Sequence, residues 1–257
     1  MSYKNHFIFS YNGNKRDELN EIYPVIKNYD VKYIVEPFCG SCAFSYFLSV
    51  QYPKKYKYIL NDNDSNLINL LKILSNNETL EEFEKKINNI CSDSNFNKQS
   101  YNKLKGLEGY YIKNKVYCMR SGIFPFNYKY KHIDIKNCKF INFLMNENIK
   151  LKNIEGLDIY LKYKNKNSII FMDPPYLLAD NSAYKSPSLI IYEYICNNHI
   201  DNETSKIIFS TESNFMTKLL FKNYKQYVYD KQNKSGRRKH KQHLILFNAT
   251  TEHQPKN

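Results

Sequence analysis

"KYIVEPFCGSCAFSYF", residues 32–47, has the pattern of an apolar strand, a turn at Gly40 and an apolar helix. The same order follows in "KYKYIL" and "DSNLINLLKILS", and three more strand-like runs, "NSIIFMD", "SKIIFST" and "HLILFN", come later in the chain. Strands that alternate with helices are typical of an α/β sheet with helices on its faces. We therefore predict that fold class.

The alternation stops between residues 76 and 147, where helix-like, Asn- and Lys-rich segments take its place. This part is too rich in Leu, Ile, Phe and Tyr for a disordered linker. A helix is expected to open there at Thr79, with Glu82 completing a capping box. The expected division is a discontinuous sheet domain at 1–75 and 148–250, a helical insertion at 76–147 and a frayed tail at 251–257.

The net charge of the chain favours a polyanionic partner. The formal charge is +13 and the sequence pI is about 9.2, so the surface field attracts nucleic acid. The alternative is a Lys- and Asn-rich chain whose lysines serve only solubility. The position of the charges has to decide between them.

Cysteine usage and hydropathy indicate a reduced, intracellular protein without a membrane span. The six cysteines follow no apolar leader, so disulfides are not expected. Cys39 and Cys42 form a lone CxxC, and no further ligands stand at zinc-site spacing. We interpret them as small buried residues. No apolar run approaches the roughly 20 residues of a membrane span.

Two acidic positions follow the first two strands and suggest a nucleoside site. Asp62 stands about twenty residues beyond Gly40, the spacing at which an acid can bind ribose hydroxyls. Either Asp62 or Asp64 is expected to cap the next helix, which leaves the other for the ribose. Because "CGSC" lacks the glycine triplet of dinucleotide sites, a nucleoside without phosphates, such as S-adenosylmethionine, fits better.

The tetrapeptide "DPPY", residues 173–176, follows the strand "SIIFM" and forms a rigid corner. Prolines fix φ and bias the preceding residue toward extended structure, so Asp173 and Pro174 are held in fixed geometry. A carboxylate and a carbonyl are two acceptors that match the two hydrogens of an exocyclic amine. Tyr176 offers a flat surface for an unstacked base. The alternative is a sharp turn that only closes a buried strand.

In their order, these motifs resemble those of the Dam-type (D12-class) DNA adenine-N6 methyltransferases of bacteria, phages and large DNA viruses. "FSYNGNKRDEL" resembles the family's N-terminal motif, "EPFCGSCAFSYF" its cofactor loop, "ILNDNDSNLINL" its ribose acid, and "FMDPPY" its catalytic tetrapeptide. The resemblance implies a Rossmann-like, class I S-adenosylmethionine-dependent methyltransferase fold that flips adenine out of double-stranded DNA and needs no metal. It implies cofactor contacts at Tyr11, Lys15, Glu36, Phe38, Gly40 and Asp62, and adenine contacts at Asp173, Pro174, Pro175 and Tyr176.

Two basic segments are candidate DNA contacts. "CMRSGIFPFNYKYKHID" offers groove-reading side chains at Arg120, Asn127 and Lys129, unless "IFPF" is only core and Arg120 a surface charge. "NKSGRRKHK" offers phosphate contacts at Arg237, Arg238 and Lys239, unless it is a solvated loop tip.

The sequence departs from the family at two positions. Cys42 stands where the family usually has a second glycine, so its side chain is expected to narrow the cofactor pocket. Ser10 stands where many relatives have a guanine-reading lysine, so the recognition sequence does not transfer. A stand-alone modifier and one half of a restriction pair both remain open. So do a catalytically silent DNA-binding partner subunit, and methylation of N4-cytosine or RNA, although Asp173 favours adenine in DNA.

Overall fold

The computed structural model describes residues 15–26, 29–113, 124, 129–177, 189–198, 205–231 and 241–247. Its strands, numbered in chain order, are β1 Tyr33–Glu36, β2 Lys57–Asn61, β3 Ile149–Lys152, β4 Ser168–Met172, β5 Lys206–Glu212, β6 Lys225–Lys231 and β7 Lys241–Phe247. Its helices are α1 Leu19–Ile26, α2 Ala43–Gln51, α3 Ser65–Leu74, α4 Asn77–Ser92, α5 Lys98–Lys103, α6 Gly106–Tyr111, α7 Lys139–Leu144, α8 Gly156–Tyr163, α9 Leu189–Asn197 and α10 Phe215–Leu220.

The described strands form one sheet in the order β3-β2-β1-β4-β5-β7-β6. Strand β1 pairs in parallel with β2 and β4, and β4 pairs in parallel with β5. Strand β7 lies antiparallel between β5 and β6. The order through β5 is that of a doubly wound, Rossmann-like sheet. The mixed α/β fold class predicted from the sequence is therefore confirmed.

The centre of the sheet is buried on both sides, which explains its continuous apolar runs. All five residues of β4 are buried, as are Ile34 and Val35 of β1. Parallel strands covered on both faces are expected to lose the apolar and polar alternation of half-exposed strands. Phe44 of α2 stacks on Phe171 of β4, with the ring centroids 4.4 Å apart, and fixes that helix against the sheet.

The described residues divide into two compact units. One lies within Asp64–Leu151; the other is formed by Lys15–Asn63 and the residues from Lys152 onward. The first contains the predicted insertion and extends beyond it at both ends. A role for this unit in reading the DNA target stays a prediction.

Within Asp64–Leu151, α3 packs against α4, α6 and α7. The apolar side of α3 consists of fully buried leucines at the spacing of one helix face, namely Leu67, Leu70, Leu71 and Leu74. The expected start of α4 at Thr79 was wrong. Asn76 is the N-cap, and its Oδ1 accepts hydrogen bonds from the Glu78 and Thr79 backbone nitrogens, so the helix begins at Asn77. The Thr79 hydroxyl instead donates to the Ile73 carbonyl at 2.8 Å.

None of the helices in the described ranges combines the length and the apolar character needed to cross a membrane.

Candidate active site

Three acids follow three neighbouring parallel strands. Glu36 ends β1, Asp62 follows β2, and Asp173 follows β4. The carboxyl ends of parallel strands lie at the same sheet edge, where open α/β sheets bind their ligands. Burial raises the pKa of Glu36 to about 8, and the charges of Asp173 and Asp62 add to that shift. A raised pKa favours a proton on Glu36 at neutral pH while no cation lies beside it.

Two residues of the loop between β1 and α2 have left-handed backbone angles. Gly40 has φ 46° and Cys42 has φ 55°. Glycine adopts this conformation at little cost, whereas a side chain makes it strained. A left-handed backbone angle at position 42 explains why a glycine would suit this position. In this chain Cys42 takes the same angle under strain, and its side chain is fully buried.

Asp62 is bonded to this loop, and Asp64 caps the helix that follows. The Gly40 backbone nitrogen donates to Asp62 Oδ2 at 3.0 Å, and Asp62 is buried. Asp64 accepts from the Asn66 backbone nitrogen at 3.0 Å and is the N-cap of α3. Of the two acids that the sequence left open, Asp64 therefore takes the structural role. Asp62 remains as the ribose candidate.

Asn61 is a site residue that the sequence did not single out. It is fully buried, and its Nδ2 donates to the Pro37 and Ile154 carbonyls, both at 2.9 Å. Its Oδ1 accepts from the Ile154 backbone nitrogen at 3.0 Å. One amide side chain thus joins the β1–α2 loop, the end of β2 and the segment before α8. The sequence signal that could have identified Asn61 is a polar amide directly after the apolar residues of β2.

Phe38 is held in this loop by a close contact with Gly156 at the start of α8. A Cβ atom on Gly156 would lie 2.4 Å from Phe38 Cζ, which is far inside contact distance. Only glycine at position 156 lets the Phe38 ring take this place. The backbone of α8 at Gly156 therefore lies directly against the ring of Phe38, a predicted pocket residue, and helps to fix its position.

Asp173 makes an ion pair through one oxygen and has an unused oxygen on the other side. Its Oδ2 accepts from Lys15 Nζ at 2.6 Å, and the Lys15 side chain is only 4% exposed. Its Oδ1 is buried and has no hydrogen-bond partner among the described residues. Burial raises the pKa of Asp173, while the charge and hydrogen bond of Lys15 oppose the rise. A buried acceptor without a donor costs about 1–3 kcal/mol, so Oδ1 is an acceptor that the described residues leave unsatisfied.

Tyr176 is fixed from two strands of the sheet. Its hydroxyl lies 3.3 Å from Ser210 Oγ of β5 and 3.3 Å from His243 Nδ1 of β7. The rings of Tyr176 and His243 meet edge to face, with their centroids 5.3 Å apart. Lys15 Nζ lies 5.1 Å from the Tyr176 ring centroid. Burial raises the pKa of Tyr176 well above its usual value, so the phenol is neutral.

The structure brings most of the described candidate residues together. Lys15, expected at the cofactor, contacts Asp173 and Tyr176 of the tetrapeptide. Lys129 is exposed within Asp64–Leu151. Cys39 and Cys42 are buried free cysteines, and no group of His, Cys, Asp and Glu suited to a metal ion occurs in the described segments. The remaining candidates lie outside the described residues, namely Tyr11, Arg120, Asn127, Arg237, Arg238 and Lys239.

Comparison with known sequences supports the resemblance seen in the motifs. The family model described as D12 class N6 adenine-specific DNA methyltransferase matches residues 11–122, which confirms that resemblance. The matched range includes the N-terminal motif from Tyr11 onward, the cofactor loop and the ribose acid, whereas the tetrapeptide lies beyond it. No curated protein matches the sequence.

Comparison with solved structures gives distant likenesses. One is precorrin 8W decarboxylase from Methanobacterium thermoautotrophicum, 10% identical, with 95% of this chain and 97% of that chain covered and a TM-score of 0.39. Another is a putative class I S-adenosylmethionine-dependent methyltransferase from Listeria monocytogenes, 12% identical, with a TM-score of 0.43. That alignment covers 93% of this chain, which spans 60% of the Listeria chain.

Proposed function

We propose that this chain, whose residues 11–122 match the D12 class of N6 adenine-specific DNA methyltransferases, transfers a methyl group from S-adenosylmethionine to N6 of an adenine flipped out of duplex DNA. The family match supports a DNA methyltransferase with this donor. The adenine-N6 assignment rests on one observation above the others. Asp173 follows a buried strand beside two prolines, and one of its carboxylate oxygens is buried without a donor among the residues that the structure describes.

The residues at the ends of β1 and β2 fit the cofactor. S-adenosylmethionine carries a positive sulfonium and an α-ammonium, and Glu36 and Asp62, which are close enough for their charges to interact, lie at the sheet edge where the cofactor would bind. Asp62 is held by the Gly40 backbone nitrogen and would accept from the ribose hydroxyls. Gly40 and Phe38 would shape the walls of the pocket. When bound, the cofactor supplies a methyl group activated for transfer.

The tetrapeptide would hold the base. An adenine amine has two hydrogens, and Asp173 Oδ1 and the Pro174 carbonyl would each accept one. Lys15 keeps Asp173 Oδ2 occupied and leaves Oδ1 toward the amine. Accepting both N–H bonds localises the nitrogen lone pair and stabilises the positive charge that develops during attack. Tyr176 would contact the ring, with Pro175 stiffening the turn between them.

The net charge of +13 supports DNA as the partner. In this proposal Arg120, Asn127 and Lys129 read the target, while Arg237, Arg238 and Lys239 bind phosphates. A silent partner subunit would need neither Asp62 nor Asp173 at the ends of β2 and β4, which flank β1, so the presence of both acids favours an enzyme. N4-cytosine and RNA remain the alternatives within the same chemistry.

Expression in a bacterium that lacks DNA methylation tests the proposal. Sequencing of its genome should detect N6-methyladenine within one short recurring sequence, and the Asp173→Ala variant should leave the genome unmodified. Methylated cytosine instead of adenine would support the N4-cytosine alternative. A genome without any modified base, from cells that contain the folded protein, would contradict DNA methylation by this chain.

Simultaneous neutralisation of Arg237, Arg238 and Lys239 should weaken binding to every DNA sequence alike. For each phosphate that the variant no longer binds, the slope of log affinity against log salt should become shallower by about 0.9. Fluorescence anisotropy with duplexes of different sequence at several salt concentrations measures both quantities.

A matched control removes three exposed lysines, Lys150 and Lys152 of β3 and Lys162 of α8. Strands β3 and β6 are the two edge strands of the described sheet. This control lowers the net charge equally and should keep the wild-type slope. An unchanged slope in the variant of Arg237, Arg238 and Lys239, or a change in which adenine is methylated, would disprove phosphate binding by these residues.

A further inference from the structure

A buried polar cluster adjoins Tyr176 and is not explained by the proposed reaction. It consists of Glu18, Tyr229 and His243, which come from the segment before α1, from β6 and from β7. Their exposed fractions are 2%, 6% and 4%. His243 Nδ1 lies 2.7 Å from Glu18 Oε2, and the Tyr229 hydroxyl donates to the same oxygen at 2.5 Å.

The chemistry of Glu18 assigns the hydrogens in this cluster. A carboxylate only accepts hydrogen bonds, so His243 must carry a hydrogen on Nδ1 and point it toward Glu18. The Tyr176 oxygen, 3.3 Å from the same nitrogen, accepts the weaker share of this hydrogen in a three-centre bond, and the Tyr176 hydroxyl hydrogen is left to donate to Ser210 Oγ at 3.3 Å. Glu18 therefore fixes the His243 ring, and the His243 ring fixes the Tyr176 hydroxyl and the plane of its ring.

We propose that His243 is a positioning residue that holds Tyr176 in the orientation required for the target base. The inference rests on the proposed function, because Tyr176 matters only if a base enters beside it. A buried histidine could serve packing alone. However, a packing role needs neither an acidic partner on one side nor a hydroxyl of the tetrapeptide on the other, and His243 has both.

Three variants separate positioning from packing. His243→Phe keeps an aromatic ring against Tyr176 but removes the Nδ1 donor. His243→Asn keeps an amide donor near the place of Nδ1. Tyr229→Phe removes a hydrogen bond to Glu18 from the same buried cluster and leaves the contact between His243 and Tyr176 in place.

Single-turnover transfer of tritiated methyl groups to unmethylated genomic DNA gives the rate of the chemical step, and calorimetry gives cofactor affinity. We expect His243→Phe to lower that rate about 10-fold with unchanged cofactor affinity, since misplacement by an ångström can cost about 100-fold. His243→Asn should recover most of the rate. Tyr229→Phe should lower the melting temperature while keeping the wild-type rate.

The inference is overturned if His243→Phe and Tyr229→Phe both lower only the melting temperature, because the cluster would then serve the fold. It is also overturned if His243→Asn is as slow as His243→Phe, because the hydrogen bond would not be what positions Tyr176. A wild-type protein that transfers no methyl group to DNA would instead refute the proposed function. The two failures are therefore distinguishable.

Discussion

Replacing Asp173 by alanine should abolish methyl transfer, with a loss of about 1,000-fold or more in turnover, because the change removes an acceptor that stabilises charge on the reacting nitrogen. Affinity for S-adenosylmethionine should stay within a few-fold, because the side chain is expected to contact the base. The methylation assay with labelled cofactor measures the first quantity, and titration calorimetry measures the second. A large loss of cofactor affinity would place Asp173 in the cofactor site instead.

Asp173→Asn is the control for folding. Alanine leaves the buried Lys15 ammonium without its carboxylate, and breaking a buried ion pair typically costs about 3–5 kcal/mol. The asparagine carbonyl can still accept from Lys15 Nζ. Its NH₂ group would then face the hydrogens of the target amine, so both partners would be donors. We therefore expect this variant to melt closer to the wild type than the alanine variant, and to be equally inactive.

Replacing Asp62 by alanine should weaken cofactor binding by about 1.5–3 kcal/mol, through the loss of hydrogen bonds to a charged acceptor. This corresponds to roughly a 10- to 150-fold higher dissociation constant. Calorimetric titration of the purified variant with S-adenosylmethionine measures the effect. A dissociation constant equal to that of the wild type would remove Asp62 from the cofactor site.

Asp64→Ala is the matched control, because Asp64 is an acid two residues away that caps α3. Loss of this cap should cost about 0.5–2 kcal/mol of folding stability. Cofactor affinity should be unchanged. Asp62→Ala should therefore change the calorimetric cofactor affinity, whereas Asp64→Ala should change only the melting temperature.

The acids of the candidate site that stand at the ends of individual β-strands could be predicted from the sequence. Glu36, Asp62 and Asp173 each stand directly at or after an apolar run, and parallel strands bring such ends to one edge. The fold class followed from the same local pattern. Local chemistry was ambiguous only where two candidates competed, as with Asp62 and Asp64, or where Asn76 offered a cap three residues before Thr79.

The contacts that complete the site could not be predicted, because their partners are far apart in the chain. Lys15 is 158 residues from Asp173, and Glu18 is 225 residues from His243. No spacing rule relates such positions. A histidine within the apolar run "HLILFN" gives no sign that it faces the tyrosine of the tetrapeptide DPPY. Glu18 and Tyr229 were missed for the same reason.

The position of β7 has a consequence for the synthesis of this protein on the ribosome. A nascent chain that has been made only as far as β6 would leave β5, with buried Ile207, Ile208 and Phe209, unpaired on the side that β7 later covers. Exposed apolar strand edges promote aggregation. Such a chain would also lack the histidine beside Tyr176. Prematurely terminated copies should therefore be insoluble.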